Sequence, residues 1–245
     1  MQNPIKIYES YLNQKDIDKN KSRKEKLNGR FTASGAGMCH KKQWYLVNNV
    51  EPKMKSTPSL RLLRLGTIVG QDFDKAMKWY EDKTDYKLYS EHPVTCPRLN
   101  LHGNFDLLVV DKDKKGHLYD YKTINMWGWR ELFGKGSFGS PKDHYKLQLG
   151  TYAFMLEEAK ELCDEVTGMT LVYYKKDDSV IKTKEIPLEA KELAELYWTR
   201  VHENMYQRKE EPPVSMDRFT PMDTWECNGY CDYADICPSP YKKHK

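Results

Sequence analysis

Apolar positions along the chain change their period several times, and the changes mark out the elements. In 59–82, Leu62, Leu65, Ile68 or Val69, Phe73, Met77 and Tyr80 recur three or four residues apart, which predicts a long amphipathic helix. Just before it, "TASGAGMCHKKQWYLVNN" reads as a helix opening near Ser34, whose hydroxyl can cap free amides, with Cys39 inside it. The period then shortens to two. "YKLYSEHPVTC", "LNLHGNFDLLVVD" and "GHLYDYKTI" read as strands, the second joined to the third by the turn "DKDKKG". Helical spacing returns over 144–163. "EVTGMTLVYYKK" and "VIKTKEIP" then form a hairpin around "DDS", 188–209 is a closing helix, and the rest is a Pro-punctuated loop. This order predicts an α/β fold: a central mixed sheet flanked by helices.

Composition adds bounds. A chain of 245 residues with 39% hydrophobic content suits one large domain, and neither a repeat nor a Gly/Ser linker divides it. The expected organisation is a basic N-terminal arm over 1–30 and a single domain over 31–245. With 31% charged residues, no apolar run near the roughly 18 that a membrane span needs, and no apolar core in "MQNPIKIYES", the protein is expected in the cytoplasm. The net charge of +4 is concentrated in "KDIDKNKSRKEKLNGR" (15–30), either a solvated, partly disordered arm or a phosphate contact. Trp44, Trp79, Trp127, Trp129, Trp198 and Trp225 are mostly core candidates by position. The segment 125–144, "NMWGWRELFGKGSFGSPKDH", reads as a Gly-rich loop that is also aromatic and basic. It suits an ordinary packed loop or, through its aromatic and basic residues, a stacking and phosphate-contact surface. The seven histidines are scattered singly, and the chain contains neither a Gly-Lys phosphate loop nor HExxH or GxSxG.

Candidate chemistry lies on the strands. Asp120 and Lys122 are two apart and so share a strand face. Alone they suit a surface ion pair. Asp106 sits between Phe105 and Leu107, where an isolated buried carboxylate is costly and calls for a cation. If the two strands pair through their turn, Asp106 and Asp120 converge into a hard oxygen site of the kind Mg²⁺ or Mn²⁺ prefers, with Lys122 beside it. Such a site suits phosphodiester hydrolysis: carboxylates hold a cation that activates water, and the lysine orients the nucleophile. Glu91, on the strand before, is a further carboxylate or an exposed strand charge.

The stretch "GNFD", a turn and then "DYK" resembles the GxxD…(D/E)xK core of the PD-(D/E)XK nuclease superfamily. "QLGTY" is similar to the QxxxY motif of its RecB-like branch, with Gln148 and Tyr152 on one helix face. The resemblance spans about 31–238. It implies a restriction-endonuclease-like core and a Mg²⁺- or Mn²⁺-dependent exonuclease acting on DNA, single-stranded or end-containing. In that reading Asp106, Asp120 and the backbone carbonyl of Tyr121 are metal ligands, Lys122 assists the attacking water, and Gln148 with Tyr152 positions DNA or the lysine. By the same analogy it works in repair, recombination or phage replication, beside proteins of recombination or replication, in a host cytoplasm if phage-encoded. The rival expectation is a DNA-binding or assembly module that keeps the fold and has lost catalysis. One departure keeps the rival open, although the intact Asp106, Asp120 and Lys122 speak against it: the branch often has a GxxxH helix with a metal-binding histidine, and "GTIVGQDF" puts Gly70 there. Gln71 or Asp72 then substitutes, or the site has fewer protein ligands.

Cys227, Cys231 and Cys237 cluster in "WECNGYCDYADICPSP", and Cys39 is far upstream. In a reducing compartment clustered thiols serve metals more often than disulfides, and four thiolates suit zinc. One early and three late cysteines also resemble the iron-sulfur nucleases of the superfamily, AddB-type and CRISPR-associated adaptation enzymes, which implies a structural 4Fe-4S cluster on Cys39, Cys227, Cys231 and Cys237. Unliganded thiols are the third option. Cys96 and Cys163 lie outside the pattern and read as ordinary semi-buried residues.

Overall fold

The computed structural model describes residues 3–27, 29–137, 139–209, 211–212 and 226–238. Trp225 lies outside them. The basic N-terminal stretch is one long helix, α1 (Pro4–Leu27), rather than a loose arm. Proline at the first helical position and an interior free of glycine and proline suit this. The helix is anchored by Leu12, which is buried, by Glu9 on Arg61 at 2.8 Å and by Asp16 near Lys55 at 3.7 Å.

After β1 (Phe31–Thr32), Ser34 lies in a 3₁₀ turn and caps no α-helix. Gly37 then bends the chain at φ 69°, and α2 (His40–Val47) opens with Cys39 in the N-cap position. Helix α3 (Thr57–Glu81) starts at Ser56, whose hydroxyl accepts from the Ser59 amide at 3.4 Å. Its predicted apolar stripe is only partly covered: Leu60 is buried, while Leu62, Leu65, Ile68 and Tyr80 stay exposed. Phe73 makes the chief contact with the sheet, lying flat on Tyr121 with ring centres 4.4 Å apart.

The six-stranded sheet is mixed, as predicted. β2 (Lys87–Cys96) runs antiparallel along the whole of β3 (Leu101–Val110). On the other edge, β3 pairs with β1 at Leu101 and His102 and with β4 (Lys115–Ile124) only from Leu107 to Val110. Between these two pairings, 103–106 has no strand partner on that edge. β4 continues in parallel with β5 (Glu165–Lys175) as far as Ile124, and β6 (Ile181–Glu185) closes the sheet antiparallel to β5. Where the composition of 125–144 predicts a loop, Met126–Phe133 is a helix, α4, capped by Asn125.

Helix α5 (Asp143–Ala159) is buried continuously from Leu149 to Leu156 because it lies between the sheet and α6 (Ala190–Val201). The closing helix is shorter than its sequence pattern suggests and loosens into a π-helical stretch, His202–Gln207. Trp198, fully buried, donates from Nε1 to the Thr151 hydroxyl at 2.8 Å and packs on Phe31. Trp79 and Trp127 are exposed, contrary to the core expectation, because α3 carries the first past the sheet and the second lies on the outer side of α4.

Helices α5 and α6 meet at Gly150, where a Cβ would stand 2.1 Å from the Ala190 carbonyl oxygen, a backbone atom that cannot rotate away. Gly150→Ala should destabilise the fold by about 1–3 kcal/mol through overpacking, despite the better helix propensity of alanine. A thermal midpoint lowered by several degrees is the expected reading; an unchanged or raised midpoint would show that the helices part freely.

Candidate active site

The site lies where β3 and β4 separate. Their ladder runs from Val110↔Gly116 to Leu107↔Tyr119 and stops, so Asp106 and Asp120 come next in register without pairing. The Tyr121 N–H, left without its strand partner, donates to the Asp106 carboxylate at 2.6 Å. On the other side of β3, Ser90↔Leu107 and His92↔Phe105 set Glu91 opposite Asp106. That bridge is also interrupted, with Glu91 in the left-handed region at φ 47°. Three carboxylates thus stand abreast on three adjacent strands, at positions where the backbone ladder has been given up.

Asp120 is nearly sealed from water, its side chain 2% exposed. Lys122 Nζ lies 2.6 Å from its Oδ2, and Gln148, projecting from α5, donates to its Oδ1 at 3.0 Å. Gln148 also accepts from Lys122 at 3.1 Å, so one amide fixes the carboxylate and the ammonium together. The Lys122–Asp120 Oδ2 contact is a close ion pair, and no other polar group among the described residues reaches Oδ2. Tyr145 lies beneath the ammonium, its ring centre 4.8 Å away. Tyr152 is buried behind Gln148 and packs edge-on against Phe105. Gly103 makes this packing possible, since a Cβ there would come within 2.7 Å of the Tyr152 ring.

Burial and like charge dominate the electrostatics. Asp106 is pushed up to about 7, first by desolvation and then by Asp120, against the opposing pull of Lys122 and the Tyr121 amide. Desolvation also raises Asp120. Burial alone would lower Lys122, but Asp120 and Asp106 outweigh it and hold the ammonium above its usual range. Glu91 retains exposed surface, yet local desolvation and the charges of Asp74 and Asp120 raise it too. Desolvation, then Asp106 and Asp74, push the Tyr121 hydroxyl well up.

Asp74 is the acidic residue that the sequence reading misses. Gln71 and Asp72 are both exposed, whereas the Asp74 Oδ1 is enclosed without a hydrogen-bond partner and its charge is felt at Glu91 and Tyr121. The available signal is helical phase: Asp74 lies four residues beyond Gly70 and one beyond Phe73, on the face turned to the sheet. At Gly70 an added Cβ would meet nothing within 4 Å.

The C-terminal segment docks on α2 and the loop after it. Lys53 N–H donates to the Asp232 carbonyl at 2.7 Å, Tyr45 and Tyr233 rings lie 5.1 Å apart, and Lys42 reaches Glu226 at 3.4 Å. Cys39 senses the charge of Cys227, Cys231 that of Cys39, and Tyr45 those of Cys237 and Cys231. Burial raises Cys39, and pushes Cys231 up to about 11. Among the described residues, no three His, Cys, Asp or Glu side chains stand in an arrangement that could hold a metal ion. By donor chemistry the strand carboxylates are hard oxygen ligands of the kind a divalent cation prefers. Cys96 and Cys163 are buried, each pushed up to about 11 by desolvation.

The PD-(D/E)XK nuclease superfamily model matches residues 46–238, and the chain belongs to that superfamily. None of the curated proteins matches the sequence. Among solved structures the chain is similar to SSO0001, with 17% identity, a TM-score of 0.58, and coverage of 95% of this chain and 96% of that one. LHK-Exo, an alkaline exonuclease from Laribacter hongkongensis, is 18% identical over 77% of this chain and 96% of its own, with a TM-score of 0.41. No helix among the described residues is long and apolar enough to cross a membrane.

A divalent cation held by these carboxylates would compete with protons for them. Asp106 is raised from 3.8 to about 7, so its contribution to stability is full below the unfolded value and is lost as pH rises through about 7. Mn²⁺ should therefore raise the thermal midpoint by several degrees at about pH 8 and have little effect at about pH 5. Asp106→Asn should abolish the difference. Equal Mn²⁺ shifts at both pH values would mean that cation and proton do not share the site.

Proposed function

We propose that the protein is a divalent-metal-dependent deoxyribonuclease of the RecB-like branch, hydrolysing phosphodiesters at DNA ends. The observation that carries this reading is the parting of β3 from β4, which leaves Asp106 and Asp120 adjacent, Lys122 beside them and Gln148 bridging lysine and carboxylate. Asp106, Asp120 and the Tyr121 carbonyl would hold Mg²⁺ or Mn²⁺, with Glu91 as a further acidic donor. Bound there, the cation would lower the pKa of a water and offset the charge that develops on the phosphate.

Lys122, an ammonium held between Asp120 and Gln148, is placed to orient the attacking oxygen or the phosphate. Gln148 restrains both ends of the Lys122–Asp120 pair. Tyr152, only 3% exposed, holds Gln148 and does not reach substrate. Its role is positional.

End-labelled single- and double-stranded DNA incubated with Mg²⁺ or Mn²⁺ should be shortened from its ends. Lys122→Ala should lose at least about a hundredfold in rate, the usual scale for removing a positioned proton-bearing group. Absence of cleavage by the parent protein under either cation would sink the enzymatic reading in favour of a binding module with the same fold.

We also propose a structural 4Fe-4S cluster on Cys39, Cys227, Cys231 and Cys237, with zinc as the alternative. It is supported by the docking of the C-terminal segment on α2, which brings Cys227 and Cys231 within electrostatic range of Cys39. Anaerobically purified protein should be brown, absorbing broadly near about 400 nm. Colourless protein with stoichiometric zinc would replace the cluster by the zinc alternative, and colourless metal-free protein would remove both.

A further inference from the structure

The Lys122 ammonium has two oxygen neighbours and an aromatic one. Its Nζ lies 2.6 Å from Asp120 Oδ2 and 3.1 Å from Gln148 Oε1. The aromatic neighbour is Tyr145, half-buried, whose ring centre is 4.8 Å from the nitrogen. Tyr145 and Gln148 are three residues apart on α5 and so share a face, which presents a ring and then an amide to the same cation. Tyr145 lies one turn before the QxxxY pattern of Gln148 and Tyr152, so that motif does not reach it.

The ring is itself held in place. It packs against the hydrophobic core, and buried His144 lies on it with ring centres 4.2 Å apart. Burial, then Lys142 and Lys122, push His144 down to about 4, so a neutral imidazole backs the ring and no second cation competes for it. The chemistry of a ring also differs from that of the two oxygens. An ammonium carries three N–H groups, of which Asp120 and Gln148 can occupy two. A carboxylate or amide at position 145 would compete for the third. An aromatic face attracts the cation through its quadrupole and leaves that N–H available.

We infer that Tyr145 is a positioning residue for Lys122: its ring steadies the ammonium against Asp120 and Gln148 and leaves one N–H for the attacking oxygen or the phosphate. The effect on catalysis rests on the nuclease reading; the placement of the ammonium on the ring does not. The phenol hydroxyl is not what the lysine uses, so phenylalanine can replace tyrosine and an aliphatic side chain cannot.

Two measurements test this. In protein labelled with ¹³C at the lysine ε carbons, free of metal and DNA, the Lys122 signal is the one lost in Lys122→Ala. It should be displaced upfield by the ring, keep that displacement in Tyr145→Phe, and rejoin the other lysines in Tyr145→Leu; an unfolded variant would instead move every lysine signal. In cleavage of end-labelled DNA with Mn²⁺, Tyr145→Leu should lower kcat about tenfold, within the range of one cation–π contact, and leave KM within about twofold of the parent. Tyr145→Phe should recover most of the loss, and Tyr145→Gln, which can take the third N–H, should not. An undisplaced Lys122 signal, equal kcat in the parent and Tyr145→Leu, or recovery by Tyr145→Gln as full as by Tyr145→Phe overturns the inference while the nuclease reading stands. A parent protein that cuts no DNA removes the nuclease reading instead, and the Lys122 signal then decides by itself whether the ring holds the ammonium.

Discussion

Tyr121 has no strand partner for its N–H, and Asp106 supplies one through its side chain at 2.6 Å. Much of the site follows from that exchange. A backbone donor left unpaired in the interior is expensive, so the strands can separate only where an acceptor replaces the ladder. Using a carboxylate for this fixes a negative charge at the fork and aims Asp120 at α5 rather than at β3. Beyond the fork β4 is not loose, because its parallel register with β5 continues to Ile124↔Lys175. The strand carrying Asp120 and Lys122 is therefore supported from one side and open on the other.

The charges at the fork are poorly matched without a divalent cation. One ammonium faces two desolvated carboxylates, with Glu91 and Asp74 adding to the negative field. Burial and mutual repulsion win over the pull of Lys122, which is why the acids are shifted upward. This is the sign expected of a site shaped for more positive charge than the chain itself brings. Gln148 limits the disorder that the imbalance would otherwise allow, since it binds the lysine and the aspartate at once and is itself packed on Tyr152.

The strands, their turn and the two motif aspartates were legible because period-two alternation and turn chemistry are local signals. So was the face shared by Gln148 and Tyr152. What escaped the sequence depended on tertiary contact. The charged stretch before Asn28 reads as a solvated arm by composition, yet Leu12, Glu9 and Asp16 settle it on neighbouring elements as a helix. Asp74 was hidden because its relevance comes from Phe73 stacking on Tyr121, which sets the rotation of α3 over the sheet. Helix α4 was hidden because Gly128 lies inside it and Gly134, Gly136 and Gly139 follow it, leaving the Asn125 cap on the Gly128 amide as the one local start signal. Exposed Leu62, Leu65 and Ile68 show the converse: helical period is visible in sequence, but what covers the apolar face is not.

The C-terminal clasp separates closure of the chain from any metal it holds. The Lys53–Asp232 backbone bond, the Tyr45–Tyr233 ring contact and the Lys42–Glu226 ion pair use no sulfur, and they carry the segment to α2 by themselves. Cys39 stands at the N-terminus of that helix, where the first-turn amides of Lys41 and Lys42 favour a thiolate while burial and Glu226 oppose it. Lys42 likewise lowers Cys231 against its burial. A soft cation entering this neighbourhood would reverse the dominant opposing effect, desolvation of negative sulfur, because it supplies the countercharge directly. The segment is thus assembled by ordinary packing and ion pairing, which bring 226–238 onto α2 and the loop after it without recourse to any metal.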